Sequence, residues 1–308
     1  MLETPAKQTS YVLLTFDIED WFQVENFKKC IALSSWPDRE LRVEKNTHRI
    51  LDLLDSIPVT GYEAPESRVR ATFFVLGWIA QRIPQLVREV RSRGHEVASH
   101  GFYHNLCHEE PPEELRRDLE DSKKLLEDLI GAPVDGYRAP SFSVSSVILK
   151  TVEACGYLYD SSFNSFGLHD RYGRLDLSGH KRHGIATKLS KSFYELPISN
   201  LELGPWVVPW GGGGYFRIIP FPLFKLGARW VLRQKGAYLF YLHPWELDPD
   251  QPRVFNAPWA YRFRHYVNLT KGARRISKLA EYFRNCKFIT CRQYLERVTA
   301  GNDIEVAL

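Results

Sequence analysis

The chain has 308 residues, 44% of them hydrophobic and 25% charged, with a formal net charge of +4. That length supports one large core or two small ones, and the absence of a dense basic block excludes nucleic acid as the natural partner. The five cysteines, Cys30, Cys107, Cys155, Cys286 and Cys291, form no CxxC pair, and the N-terminal segment is polar. The expectation is therefore a cytoplasmic protein with reduced thiols.

In chain order, "YVLLTFD" (11–17) reads as a buried strand. Ile50, Leu51, Leu53 and Leu54 have helical spacing, and "RATFFVLG" is a second buried strand. Ile79, Ile83, Leu86, Val87 and Val90 mark a helix that Pro84 starts or kinks and Gly94 caps. "HEVASH" is a short strand. The next helix is the clearest, with Leu115, Leu119, Leu126 and Leu129 as its stripe, Pro at its start and Gly131 past its end. "DGYRAPS" reads as a strand entering a loop, "SSVILKTVEACG" as a helix and "YLYD" as a strand. "SFYELPI" and "GAYLFYLH" are further strands with a basic helical segment between them. The tail reads helix, strand ("KFIT"), helix. Residues 168–191 break the alternation with a polar His/Arg/Lys-rich stretch, which predicts a long loop over the site.

Alternating strands and helices predict an α/β fold, a parallel sheet covered by helices. Asp17, His100, Arg138 and His243 each fall at or just past the C-terminal end of a predicted strand. In a (β/α) barrel those ends share one rim, where active sites form. His100 and His104 are four residues apart and would face the same way if their loop made one helical turn. With one carboxylate from Asp17, Glu19 and Asp20 they make a two-histidine, one-carboxylate set that suits Zn²⁺, Co²⁺ or Fe²⁺ and leaves room for water. A second carboxylate then remains free as a base, the division of labour that metal-assisted hydrolysis needs. Cys107 is close in sequence but has no second thiol at metal spacing, and reads as a bystander.

These residues carry a resemblance to the polysaccharide deacetylases, the NodB-homology family of carbohydrate esterases. "TFDIED", "HGFYH", "RAPSFS", loosely "YDSSF", and "LHP" match its five motifs in order. "WGGGGYFR" and the tail "HPWELDPDQPR" with "FRHYVNL" are similar to a bacterial subfamily associated with exopolysaccharide biosynthesis and export. The resemblance implies a distorted (β/α) barrel with fewer than eight regular repeats, one catalytic domain over 1–308, and a subfamily-specific extension over 244–308. It implies a divalent metal, most simply zinc, and an N-acetylated saccharide substrate. Asp17 becomes the general base, Arg138 its ion-pair partner, His243 the general acid, and His100 and His104 the metal ligands. The third ligand departs from the family pattern of two adjacent Asp residues, since Ile18 follows Asp17. Asp20 is favoured for its shorter side chain, with Glu19 kept as the alternative. A metal-independent hydrolase of small amides or ureides and a silent sugar-binding barrel are the other readings.

Pro140 and Phe142 of the third motif are expected to touch substrate. Trp21 and Trp245 flank catalytic motifs and either pack on the acetyl or sugar face or belong to the core. The glycine run 211–214 is either a flexible turn or a wall that lies against a sugar ring stacked on Trp210 or Tyr215. The segment Phe221–Gly236 is either a barrel helix with a solvated basic face or an interfacial helix resting on the inner membrane leaflet.

Overall fold

The computed structural model describes residues 9–58, 68–167 and 172–300. In chain order the strands are β1 (Tyr11–Ile18), β2 (Ala71–Val75), β3 (Glu96–Ser99), β4 (Gly136–Tyr137), β5 (Tyr159–Asp160), β6 (Arg182–His183), β7 (Ala186–Lys188), β8 (Tyr194–Glu195), β9 (Asn200–Leu203), β10 (Trp206–Pro209), β11 (Ala237–Leu242) and β12 (Lys287–Phe288). Seven of them, in the order β11-β1-β2-β3-β4-β5-β8, are mutually parallel. Irregular backbone joins the two ends of this curled sheet. Ser199 N–H donates to Leu239 O at 3.3 Å, Leu239 N–H donates to Ser199 Oγ at 2.9 Å, and Tyr241 N–H donates to Gly211 O at 2.8 Å. The result is the distorted barrel, short of eight regular repeats, that the family resemblance implies.

Period-2 alternation sorts the strand side chains into two cores. Tyr11 and Leu13 of β1, Phe74 of β2, Ala98 of β3, Tyr159 of β5 and Leu239 and Tyr241 of β11 fill the barrel interior. Val12, Leu14 and Phe16, Phe73 and Val75, and Tyr238, Phe240 and Leu242 pack outward under the helices. The same parity carries Asp17, His100 and His243 to the inner side at the C-terminal rim. The helix Cys291–Thr299 closes the opposite end, burying Cys291, Tyr294 and Leu295 in the inner core, with Tyr294 edge-on to Tyr11 at 5.6 Å. β12 pairs with β1.

Pro84 opens the helix Pro84–Ser92 just after the helix Gly77–Arg82 ends, and Gly131 caps the helix Pro112–Ile130 at φ +63°. Two expectations change. Within 168–191, residues 168–171 lie outside the described residues, but β6 and β7 form an antiparallel hairpin on β8 instead of a free loop, anchored by Ile185 N–H to Tyr294 Oη at 2.9 Å. The hairpin β9–β10 was not anticipated at all. The helix Phe221–Lys235 buries Phe224, Ala228, Val231 and Leu232 and leaves Leu223, Leu226 and Trp230 exposed. Among the described residues no helix is long and apolar enough to cross a membrane.

His95 shows how strongly this core excludes charge. It is buried against Phe73 at 5.1 Å, its Nδ1 accepts from Ala71 N–H at 3.3 Å, and its Nε2 has no hydrogen-bond partner. Burial pushes it down to about 4. The unfolded chain, whose histidine titrates near 6.5, therefore binds more protons over the interval between those values, and stability falls as pH falls through it. Urea denaturation should show wild type losing on the order of 2 kcal/mol more than His95→Gln between pH 7 and pH 5. Parallel pH curves for the two proteins would contradict this.

Candidate active site

The turn after β1 decides which carboxylates enter the site. Glu19 N–H donates to Asp17 O at 3.0 Å, a tight turn that brings Glu19 back to the side of Asp17 and skips Ile18. Asp20 is thereby sent elsewhere. Its Oδ2 accepts from Arg42 N–H at 2.7 Å and Val43 N–H at 2.9 Å, and its Oδ1 from Trp21 N–H at 2.8 Å. It holds the N-terminus of the helix Val43–Ser56, where free N–H groups and the helix dipole favour a carboxylate. The preference for Asp20 as metal ligand is therefore corrected in favour of Glu19: side-chain length mattered less than the direction of the turn.

His100 sits just past β3. Its Nδ1 meets Arg138 O at 2.8 Å, which leaves Nε2 facing the cleft. The following loop is not the expected helical turn. Asp118 accepts Phe102 N–H at 2.9 Å and Tyr103 N–H at 3.3 Å, and Gly101 and His104 both take positive φ, +75° and +58°. A Cβ on Gly101 would meet Asp118 Oδ1 at 2.8 Å, so glycine is needed there for space as well as for backbone. The two imidazole centroids end 5.3 Å apart.

Glu19, His100 and His104 are the one His/Cys/Asp/Glu group among the described residues whose ligand atoms converge, all within 4.8 Å of one another. Glu19 Oε2 lies 2.7 Å from His104 Nε2, and both groups are buried. Three buried ligand atoms converging this closely are spaced for a common cation, and a backbone carbonyl fixing the far nitrogen of His100 is the usual support for such a ligand. The group therefore fits a divalent cation. Burial would raise Glu19, but His104, His243 and His100 outweigh it and hold its carboxyl well below the usual range. Burial pushes His100 down to about 4, so both are in the state a metal needs.

Arg138 is fully buried and spends its fork on four acceptors: Asp17 Oδ1 at 2.6 Å, Thr15 Oγ1 at 2.8 Å, Ser161 O at 3.0 Å and Ser161 Oγ at 2.9 Å. Opposite stands His243, its Nε2 3.8 Å from Asp17 Oδ2 and 3.5 Å from Glu19 Oε1. Its Nδ1 meets Glu246 Oε1 at 2.8 Å, and Glu246 Oε2 accepts from Arg217 Nε at 2.7 Å. Arg217 is itself fixed by the carbonyls of His265, Val267 and Arg264. Burial opposes charge on His243, but Glu19, Glu246 and Asp17 together raise it to about 9.

The aromatic expectations separate. Trp245 lines the cleft, donates Nε1–H to Glu19 Oε1 at 3.0 Å, and stacks between His243 and His265 at 5.2 and 4.1 Å. Phe142 lines the cleft at φ +59°, while Pro140 stays buried beside it. Trp21 and Trp210 are core: Trp21 donates to Glu40 O at 3.1 Å, and Trp210 donates to Phe224 O at 2.8 Å while stacked on that ring. Tyr215 stands edge-on to Phe166, with Arg264 over its ring at 5.9 Å, outside the residues that line the cleft. In the glycine run, Gly214 lines the cleft, and packing requires the other three. A Cβ at Gly213 would meet Glu246 Oε1 at 2.1 Å, one at Gly212 the Tyr241 hydroxyl at 2.5 Å, and one at Gly211 Ser199 O at 2.5 Å. Cys107 bonds Tyr137 Oη at 3.2 Å. Glu246 and Arg217 were missed. Glu246 follows His243 by three residues across a Pro, a helix-start spacing that could have exposed it, whereas Arg217 has no local signal.

The family model described as polysaccharide deacetylase matches residues 5–159, and one described as a domain of unknown function (DUF3473) matches 161–296. The peptidoglycan-N-acetylglucosamine deacetylase of Bacillus cereus is 30% identical over 138 residues, 44% of this chain and 57% of that protein. The peptidoglycan deacetylase of Helicobacter pylori is 30% identical over 210 residues, 64% of this chain and 63% of that protein. The chain thus spans less than two thirds of the length of these curated relatives. A crystal structure from Mycobacterium smegmatis bearing the polysaccharide deacetylase name aligns over 100% of this chain and 96% of its own, at 19% identity and a TM-score of 0.59. The Xyl-CE4 domain of a multidomain xylanase from the hindgut metagenome of Trinervitermes trinervoides aligns over 96% and 95%, at 13% identity and a TM-score of 0.51. At these identities the structural likeness concerns the fold alone.

Proposed function

The chain belongs to the polysaccharide deacetylase family, and from that premise we propose that it hydrolyses the N-acetyl amide of an amino sugar in a saccharide. The observation that carries the reading is the facing pair: Asp17, clamped by Arg138, and His243, clamped by Glu246, on either side of Glu19, His100 and His104. A divalent cation held by those three residues, zinc by preference with cobalt or iron also suited to the ligands, would polarise the amide carbonyl and acidify a water.

Asp17 is the base that takes the water proton. Its Oδ1 is held by Arg138, which leaves Oδ2 toward the cleft and His243. His243, held at Nδ1 by Glu246 with Nε2 toward Asp17, gives its proton to the departing nitrogen as the C–N bond breaks. Acetate and a free amine leave. Trp245, packed on His243 and bonded to Glu19, keeps both side chains in place and bulk water off that face. Glu246→Gln should lower kcat about 10²-fold with KM little changed, since the acid loses its charged tether while the cleft keeps its shape. An unaltered kcat in a kinetic assay would remove Glu246 from the mechanism.

We read residues 1–308 as one catalytic unit with 244–308 as its extension, acting on an exopolysaccharide or its lipid-linked precursor on the cytoplasmic side of a membrane. The exposed stripe Leu223, Leu226 and Trp230 runs beside Arg229 and Arg233 and suits an anionic bilayer surface. Co-sedimentation with anionic but not neutral vesicles would support that placement, and no binding to either would remove it. For the activity itself, purified protein loaded with zinc should release acetate from N-acetylglucosamine oligomers. No acetate with any N-acetylhexosamine at full metal occupancy would overturn the reading.

A further inference from the structure

We propose that the rim of the catalytic cleft carried by residues 253–263 docks on an anionic lipid bilayer, so that the saccharide is taken from a membrane surface; the origin of the saccharide rests on the deacetylase reading above. Phe255, Trp259 and Phe263 are 73%, 75% and 50% exposed. Three large rings this open, and this close together in the chain, mark an interaction surface. Arg264, on the same helix (Trp259–Tyr266), lines the catalytic cleft, so the patch stands at its edge.

The rings are held outward from behind. Val254 and Ala257 are buried on either side of Phe255, and Val254 N–H donates to Tyr266 Oη at 2.8 Å. On the helix, the fully buried His265 packs on Phe27 at 4.6 Å, and Arg217 donates to the carbonyls of Arg264 and His265 at 3.0 and 2.9 Å. Trp259 and Phe263, four residues apart, share the face turned away from His265 and stack on each other at 5.7 Å. The patch is therefore formed before any partner arrives, and docking need not order it.

Charge selects the bilayer among the occupants such a patch could take. From Gln251 to Ala280 the chain has seven Lys and Arg and no Asp or Glu. Arg262 lies over the Phe255 ring at 5.5 Å and Arg253 over the Tyr266 ring at 4.2 Å, which sets guanidinium groups among the aromatics. That mixture suits the depth at which anionic headgroups meet acyl chains. The carboxylates that share a shallow depression with Tyr261 do not cancel the excess, since Glu109 pairs with Lys28 at 3.2 Å and Glu25 Oε2 is buried. A second copy docking here would bring like charges together, and a neutral glycan would leave the cations unmatched. Leu223, Leu226 and Trp230 lie on a different helix, so each surface is testable without the other.

The test is co-sedimentation of the full chain with phosphatidylcholine vesicles and with phosphatidylcholine–phosphatidylglycerol vesicles. Wild type should bind the anionic vesicles and come off as salt rises. The double variant Trp259→Ala/Phe263→Ala should bind them about tenfold more weakly. Its kcat/KM for soluble N-acetylglucosamine oligomers should stay within about twofold of wild type, because both rings face solvent. Unaltered vesicle binding in this variant overturns the proposal, including where Leu226→Ala/Trp230→Ala shows that the helix Phe221–Lys235 binds instead. Equal binding of wild type to both vesicle types, or binding to neither, overturns it as well. A dimer that the double variant dissolves, with vesicle binding unaltered, assigns the patch to a second copy; a fall in kcat/KM on soluble oligomers, with vesicle binding unaltered, assigns it to the glycan. Either result overturns the proposal. If no oligomer yields acetate, the deacetylase reading fails on its own, and the vesicle measurements still decide the docking.

Discussion

Asp17→Asn is expected to lower kcat about 10³-fold while leaving metal content and fold in place. The asparagine oxygen can still accept from Arg138 Nη1, now at 2.6 Å from Asp17, so the side chain stays in register with Thr15 and Ser161 through the shared guanidinium. What disappears is a group that can hold a proton. Glu19, His100 and His104 do not depend on Asp17 for their convergence, so elemental analysis should report the wild-type metal stoichiometry. Loss of metal in this variant would mean that Asp17 is a ligand and the base lies elsewhere.

Arg138→Met should cost about 3–5 kcal/mol of stability as well as activity. Arg138 and Asp17 are both buried, and removing the guanidinium strips the carboxylate of its hydrogen-bonded ion-pair partner and leaves it only the more distant His243, 3.8 Å away. The hydroxyl of Thr15 and the carbonyl and hydroxyl of Ser161 lose a shared donor in the same step. His100 would also feel it indirectly, since its Nδ1 rests on the Arg138 carbonyl. Arg138→Lys should recover part of the stability through charge, but little activity, because an ammonium cannot reproduce the fork. Urea midpoints paired with acetate-release assays separate this behaviour from that of Asp17→Asn, where activity falls with a much smaller loss of stability.

The first half of the chain was readable because its strands and helices have strong periods. β1 and β11 stand out as short, continuous apolar runs, and the pleat of β1, β3 and β11 delivers Asp17, His100 and His243 to one rim. Where the reading failed, direction was set by contacts remote in sequence. Nothing in "DIED" says that the backbone turns at Glu19, because the helix N-terminus that captures Asp20 begins only at Val43. The tryptophans illustrate the same limit. Trp245 reaches the cleft while Trp21 and Trp210 bond carbonyls at Glu40 and Phe224. The region after Asp160 was hardest, since β6 and β7 are two and three residues long and too short to show a period. Its glycine run is explained by the Glu246 carboxylate and the Tyr241 ring that press against it, which are far away in sequence.

The most direct measurement is the metal content of purified Glu19→Ala and Asp20→Asn beside wild type, with circular dichroism to confirm folding. We expect about one divalent ion per folded chain in wild type and in Asp20→Asn, a lower melting temperature in Asp20→Asn from the lost helix-terminal contacts, and at least a tenfold loss of affinity in Glu19→Ala. Metal retained by Glu19→Ala, or lost from a folded Asp20→Asn, would contradict the placement of the ion between Glu19, His100 and His104.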